Sequence, residues 1–132
     1  MNKIMALDVG TKRIGVALSD FLHITANPFC CVEREPESDA INQISKIAIE
    51  NKVKTIVVGL PINMDGSYGA QADDCKKLAG KLVGFDIVFE DERLTSQQAE
   101  ENLRQRKINF RKDKSLVDIE SACIILEQFL RK

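Results

Sequence analysis

The stretch Ile4-Met-Ala-Leu-Asp-Val-Gly10-Thr-Lys-Arg-Ile-Gly-Val-Ala-Leu-Ser-Asp20 decides the fold. Two apolar, partly alternating runs, Ile4–Val9 and Ile14–Leu18, flank the turn-prone Gly10-Thr11-Lys12-Arg13. That pattern predicts a β-hairpin opening the chain, with Asp8 near the end of its first strand. Burying an unpaired carboxylate costs several kcal/mol. A metal, a basic group or a ligand is therefore expected beside Asp8; an Asx-type turn role is the plain alternative. Gly10 and Gly15 leave room for a large charged ligand to approach the backbone.

Working outward, a third strand is expected over Ile24–Val32, followed by the polar loop Glu33–Glu37. Ser38 or Asp39 can cap a helix in which Ile41, Ile44, Ile47 and Ala48 recur at helical spacing up to Asn51. The β-branched run Lys54–Leu60, stopped by Pro61, suits a central strand buried on both faces. The loop Pro61–Gly69 is rich in turn formers and elaborate for a plain connector. A helix over Ala70–Val83, a strand over Asp86–Glu90 and a helix over Gln97–Arg104, capped by Thr95 or Ser96, follow. The last helix runs from about Leu116 to Leu130. This order predicts an α/β fold: a mixed five-stranded sheet, its first three strands antiparallel, flanked by helices on both faces.

The chain has 132 residues, 44% hydrophobic and 30% charged, which fits one soluble domain spanning 1–132. A formal net charge of −1 announces no nucleic-acid partner globally, so any such binding must come from a local patch. No apolar run reaches the ~18 residues of a membrane span, and the N-terminus does not read as a secretory signal. The four cysteines, two adjacent at Cys30-Cys31, fit no zinc spacing or disulfide framework. A cytoplasmic location is expected, with no membrane partner.

On the last helix, Leu116, Ile119, Ala122, Cys123, Ile125, Leu126, Phe129 and Leu130 form one apolar arc at about 100° per residue. Asp118 falls at its edge and is expected to face the sheet. The alternative is a capping box, Ser115-x-x-Asp118. In an open α/β sheet, ligands gather beyond the carboxyl ends of the parallel strands. Asp8, Glu92 and Asp118 are thus candidates for a catalytic and metal-holding triad, with oxygen-only ligation suited to Mg²⁺ or Mn²⁺. Two such ions about 4 Å apart would serve phosphodiester hydrolysis. For Glu92 a surface pair with Arg93 is the alternative.

Four segments, Asp8–Asp20, Val58–Ser67, Asp91–Ser96 and Asp118–Leu126, resemble in order the YqgF family over essentially the whole chain. Its members are small bacterial proteins assigned to pre-16S rRNA maturation and also called Holliday-junction-resolvase-like. The resemblance implies a ribonuclease H-like fold and hydrolysis at the 5′ end of pre-16S rRNA in ribosome biogenesis, by a Mg²⁺-dependent nuclease. It maps the family's acids onto Asp8, Asp118 and either Asp91 or Glu92, with Glu92 preferred. Related resolvases carry an acid at the end of the fourth strand, where this chain reads Val-Val-Gly59-Leu-Pro; Ser121-Ala122 stands where the family commonly has Ala-Ala.

Nucleic-acid contacts are expected from Lys12, Arg13 and Arg93 near the acids and from the basic stretch Arg104, Arg106, Lys107, Arg111 and Lys112. A solvated loop is the alternative for that stretch, and Arg13 and Arg93 could equally neutralise the acids when no metal is bound. Phe110 either stacks on a base or packs on the core, and His23 reads as structural. The expected partner is structured precursor rRNA, free or within pre-30S particles, with the chain a monomer or weak homodimer. A DNA Holliday-junction substrate, a non-catalytic RNA-binding assembly factor and a lobe of the actin-like ATPases, suggested by Asp-x-Gly before a hairpin, are the rival readings.

Overall fold

β1 (Lys3–Val9) can only be a central strand: every residue from Ile4 to Val9 is buried, so both its faces must be covered. The computed structural model describes residues 1–63, 65–92, 95–110 and 113–132. β2 (Arg13–Ser19) returns antiparallel to β1 and β3 (Ala26–Glu33) antiparallel to β2, while β4 (Val53–Leu60) and β5 (Asp86–Asp91) run parallel to β1. The order across the sheet is β3-β2-β1-β4-β5. The expected mixed five-stranded sheet with an antiparallel opening is what forms.

Strand alternation sorts the two faces. Met5, Leu7, Ile14, Val16, Ile56 and Val58 pack under α1 (Glu37–Glu50) and α2 (Ala70–Gly80) through Ile44, Ala48, Cys75 and Leu78. On the other face the residues are small: Ala6, Ala17 and Val57 meet Ala122, Cys123, Ile125 and Leu126 of α4 (Ser115–Leu130). α3 (Thr95–Gln105) lies against α4, burying Ala99 and Leu103. α4 is therefore covered by more than the sheet. Ser121 to Leu126 are all buried, including Ser121 and Ile124, which the single apolar arc leaves out.

Several boundaries shift for local reasons. β3 starts at Ala26 rather than Ile24, because one Asp20 carboxylate oxygen accepts from the N–H groups of Ile24 and Thr25 at 2.7 and 2.9 Å. His23 braces this turn by bonding the Asn2 carbonyl, a structural role as expected. α1 begins at Glu37 with Pro36 in the cap position, so Ser38 and Asp39 fall inside its first turn. α3 begins at Thr95, so Thr95 and Ser96 lie within the helix. α2 stops at Gly80, three residues short of Val83, where Lys81 and Leu82 turn back onto Leu78 and Ala79. The capping box at Ser115 does not form: the Ser115 hydroxyl and N–H both donate to Asp113, and Asp118 bonds elsewhere.

Two glycines set how closely the small face is covered. A Cβ at Gly15 would coincide with the backbone carbonyl of Asp118, and one at Gly59 with the Glu92 carboxylate and Ile125. Gly80 has nothing within 4 Å of the same position. Gly15→Ala should therefore destabilise the fold by about 3 kcal/mol or more, since α4 must move. Gly80→Ala, adding a methyl in open space at a helix end, should be neutral or stabilising by up to ~1 kcal/mol. Urea unfolding of the two variants against the parent chain measures both.

Candidate active site

The site grows from one row of the sheet. Asp8 pairs with Gly15 on β2, and continuing the register Leu7↔Val58 places Gly59 on its other side. Gly59 in turn pairs with Glu90 on β5. Asp8 is only 9% exposed, on the face covered by α4. The space over Gly59 is filled by the Glu92 carboxyl, which shares a hydrogen bond with Asp8. The space over Gly15 is filled by the Asp118 backbone. Glu92 is fixed just past β5 by its N–H, which donates to the Leu60 carbonyl at 3.1 Å.

The electrostatics follow from burial. Desolvation pushes the Asp8 carboxyl up to about 6, the hydrogen bond from Glu92 acts against that rise, and the Asp118 charge adds to it. Burial, followed by the Asp8 charge and the hydrogen bond donated to Asp8, raises Glu92 further, to about 10. Near neutral pH the two groups thus share a proton, carried by Glu92. Asp91 is exposed and on the other side of the strand, so of the two neighbouring acids it is Glu92 that reaches Asp8.

Asp118 is half-buried and accepts from Arg13 Nε at 2.7 Å. Arg13 therefore neutralises an acid of the cluster, one of the two roles open to it from the sequence. Among the described residues no three acidic, histidine or cysteine side chains stand together closely enough to enclose a cation. The donor set still fits a hard divalent ion: two carboxyls in mutual contact, oxygen only, with a third acid over the adjacent strand held off by an arginine. Asp8 and Glu92 would be the primary ligands, with Asp118 available once Arg13 releases it.

Two charged residues that sequence reasoning passed over organise the surroundings. Arg34 is buried, donates to the Gly10 carbonyl at 2.9 Å, and pairs with Asp74 at 2.8 Å and Glu37 at 3.4 Å. Its own N–H donates to the Lys12 carbonyl at 2.9 Å, so Arg34 clamps the turn between Asp8 and Arg13 to α1 and α2. In sequence it sits in a polar loop, and its partner Asp74 lies 40 residues away. Glu90 is also buried, paired with Lys132 at 2.9 Å. Strand alternation with Val88 was the one signal available for it.

The basic residues are less free than their spacing suggests. Arg104 pairs with Glu100 and Glu101 and lies over the half-buried Phe110 ring. Arg106 pairs with Glu120 at 2.6 Å. Lys107, at φ 59°, closes α3. Lys12 is exposed on the turn beside Asp8. Arg93, Arg111 and Lys112 lie outside the described residues. Cys30 and Cys31 take opposite faces, Cys30 packing against the core and Cys31 pairing with Gly15. No described helix is long and apolar enough to cross a membrane.

Residues 2–132 match the family model described as RuvX, Holliday junction resolvase. A relative in Endomicrobium trichonymphae, provisionally named a pre-16S rRNA nuclease, is 40% identical over 98% of this chain and 96% of its own length. Another of the same name, in Thermosynechococcus vestitus, is 40% identical over 98% and 88%. Among solved structures, T. thermophilus RuvC with a Holliday junction substrate covers 99% of this chain and 96% of its own at TM-score 0.57 and 12% identity. Fowlpox virus resolvase bound to Holliday junction DNA covers 98% and 97% at TM-score 0.62 and 10% identity. The fold is thus the ribonuclease H-like fold of these resolvases.

Because Asp8 and Glu92 are both raised, the native state holds more protons than the unfolded chain above pH 4. Without added divalent ions, stability should therefore fall as pH rises from about 4 through 6, and go on falling at a gentler slope until Glu92 itself ionises, near 10. Asp8→Asn should flatten the pH 4–6 slope. Chemical unfolding across that range with a chelator present reads the effect.

Proposed function

The chain belongs to the RuvX family, and from that premise we propose that it is a divalent-cation-dependent nuclease of structured nucleic acid, acting on precursor 16S rRNA in ribosome biogenesis. The observation that carries the reading is the buried Asp8–Glu92 carboxyl pair with Asp118 over the neighbouring strand. The Asp8–Glu92 pair holds its charge only with a proton between the two carboxyls, and Asp118 beside it is answered by Arg13, so a divalent cation would take the place of that proton. Held by Asp8 and Glu92, a divalent cation such as Mg²⁺ or Mn²⁺ would supply positive charge to polarise a phosphodiester and to activate water.

The chain's own residues have separate tasks in this reading. Asp8 and Glu92 would hold the cation, releasing their shared proton to solvent as they did so. Asp118 would join them once Arg13 let go, which would free a guanidinium at the end of the turn for a phosphate oxygen. Arg34 holds that turn rigid so that Asp8 and Arg13 keep their spacing. Lys12 is placed for the flanking backbone. Arg104, Arg106 and Lys107, with Arg93, Arg111 and Lys112 by their place in the sequence, extend the track; Arg104 and Arg106 exchange their glutamate partners for phosphates. The protein works in the cytoplasm, as a monomer or weak homodimer, on pre-rRNA or pre-30S particles.

A second substrate, the four-way DNA junction, is favoured by the family description and by the bound junctions of the two structural neighbours. It needs the same acids. Purified protein should be incubated with precursor 16S rRNA and with a synthetic junction, each with Mg²⁺. Cleavage of the precursor is expected, and Asp8→Asn should lower it by about a thousandfold, the equivalent of several kcal/mol of lost transition-state stabilisation, with the fold retained. Undiminished cleavage by that variant contradicts the site; cutting of the junction alone shifts the substrate to DNA.

A further inference from the structure

The loop after β4 holds none of the site's acids, yet it is closely hydrogen-bonded. Asn63 N–H donates to the Ser67 carbonyl at 2.9 Å and Gly66 N–H to the Asn63 carbonyl at 2.8 Å. One Asp65 carboxylate oxygen accepts from the Ser67 N–H at 2.9 Å and from its hydroxyl at 2.6 Å. Ile62 and Tyr68 form a β-bridge that closes the loop. Asn63, Asp65, Ser67 and Tyr68 are all exposed, so these bonds are made at the surface.

What the loop displays is Tyr68. Its side chain is 55% exposed, and the Lys76 ammonium stands 4.9 Å from the ring centroid. The loop leaves β4 at Pro61, two residues after the Gly59 that lies under Glu92, and next to Leu60, whose carbonyl fixes Glu92. Tyr68 thus stands at the same end of the sheet as the acids. An aromatic ring held in solvent with a cation against it matches the two chemical parts of a nucleotide, a stacking base and an anionic phosphate.

We propose that Tyr68, with Lys76, is a stacking platform for an unpaired nucleobase of the nucleic acid bound at the acids. The proposal rests on the nuclease reading for its substrate class. Bases inside a duplex are already stacked on both faces, so an exposed ring captures only a base with a free face, at a single-stranded flank or an opened pair. The platform therefore selects substrates that carry unpaired nucleotides beside the cut, and it does so without reading their sequence.

The chain offers a direct optical reporter. It has one tyrosine and no tryptophan, so its intrinsic emission comes from Tyr68. Asp8→Asn protein, which leaves the nucleic acid intact, is titrated with a single-stranded RNA oligonucleotide and with the same sequence in a blunt duplex. The single strand should quench the emission strongly and the duplex hardly at all. In anisotropy with a labelled oligonucleotide, Tyr68→Leu should weaken single-strand binding about tenfold, while Tyr68→Phe stays within about twofold. Tyr68→Leu should leave the salt slope of binding unchanged, since no phosphate contact is lost, whereas Lys76→Gln should reduce it.

Absence of quenching, equal quenching by the duplex, or unchanged affinity of Tyr68→Leu overturns the proposal. Failure of the nuclease reading looks different: wild-type protein cuts nothing with Mg²⁺. Quenching by single strands then still supports the platform, in a protein that binds RNA without cutting it.

Discussion

The structure depends on how closely α4 and the segment after β5 press onto the strands beside Asp8. Asp8 sits between two glycines in one row of the sheet, Gly15 on β2 and Gly59 on β4. Each missing side chain is replaced by part of an acid-bearing segment, the Asp118 backbone on one side and the Glu92 carboxyl on the other. Any Cβ in either place would push an acid away from Asp8. Steric permission at two backbone positions is thus what seats Glu92 against Asp8 and the Asp118 backbone over the adjacent strand, and the small neighbours Ala6 and Ala17 let α4 follow.

Gathering like charges opposes folding, and the protein offsets it locally. Glu92 keeps its proton and donates it to Asp8, while Arg13 answers Asp118. Buried ion pairs add little net stability over apolar packing but are costly to break from one side. Arg34 is the buried side of its pairs with the more exposed Asp74 and Glu37, and it fixes the turn between Asp8 and Arg13. The same economy of charge explains why a nearly neutral chain can present a local acidic site and, at some distance, a basic stretch.

Much of this was legible in the sequence because it is carried by local period and turn chemistry. The hairpin, the buried run of β4 and the sheet-facing position of Asp118 follow from alternation and helical spacing. Less visible were features set by partners far along the chain. Arg34 reads as loop decoration until Asp74 meets it, and Glu90 as a surface acid until Lys132 does. α4 reads as one-sided because the covering by α3 has no signature in its own pattern. The basic stretch reads as free charge, although Arg104 and Arg106 are answered by glutamates on α3 and α4. At Gly59 the missing side chain leaves the space that the Glu92 carboxyl fills, a contact made across the sheet and invisible in the local pattern.

A proton held between Asp8 and Glu92 would have to leave when a divalent ion binds there. Calorimetric titration of the wild-type chain with Mg²⁺ at neutral pH, repeated in buffers of different ionisation enthalpy, counts that proton. Binding with release of about one proton is expected, and loss of that release in Glu92→Gln. Mg²⁺ binding with no proton release, or release unchanged in Glu92→Gln, would contradict it.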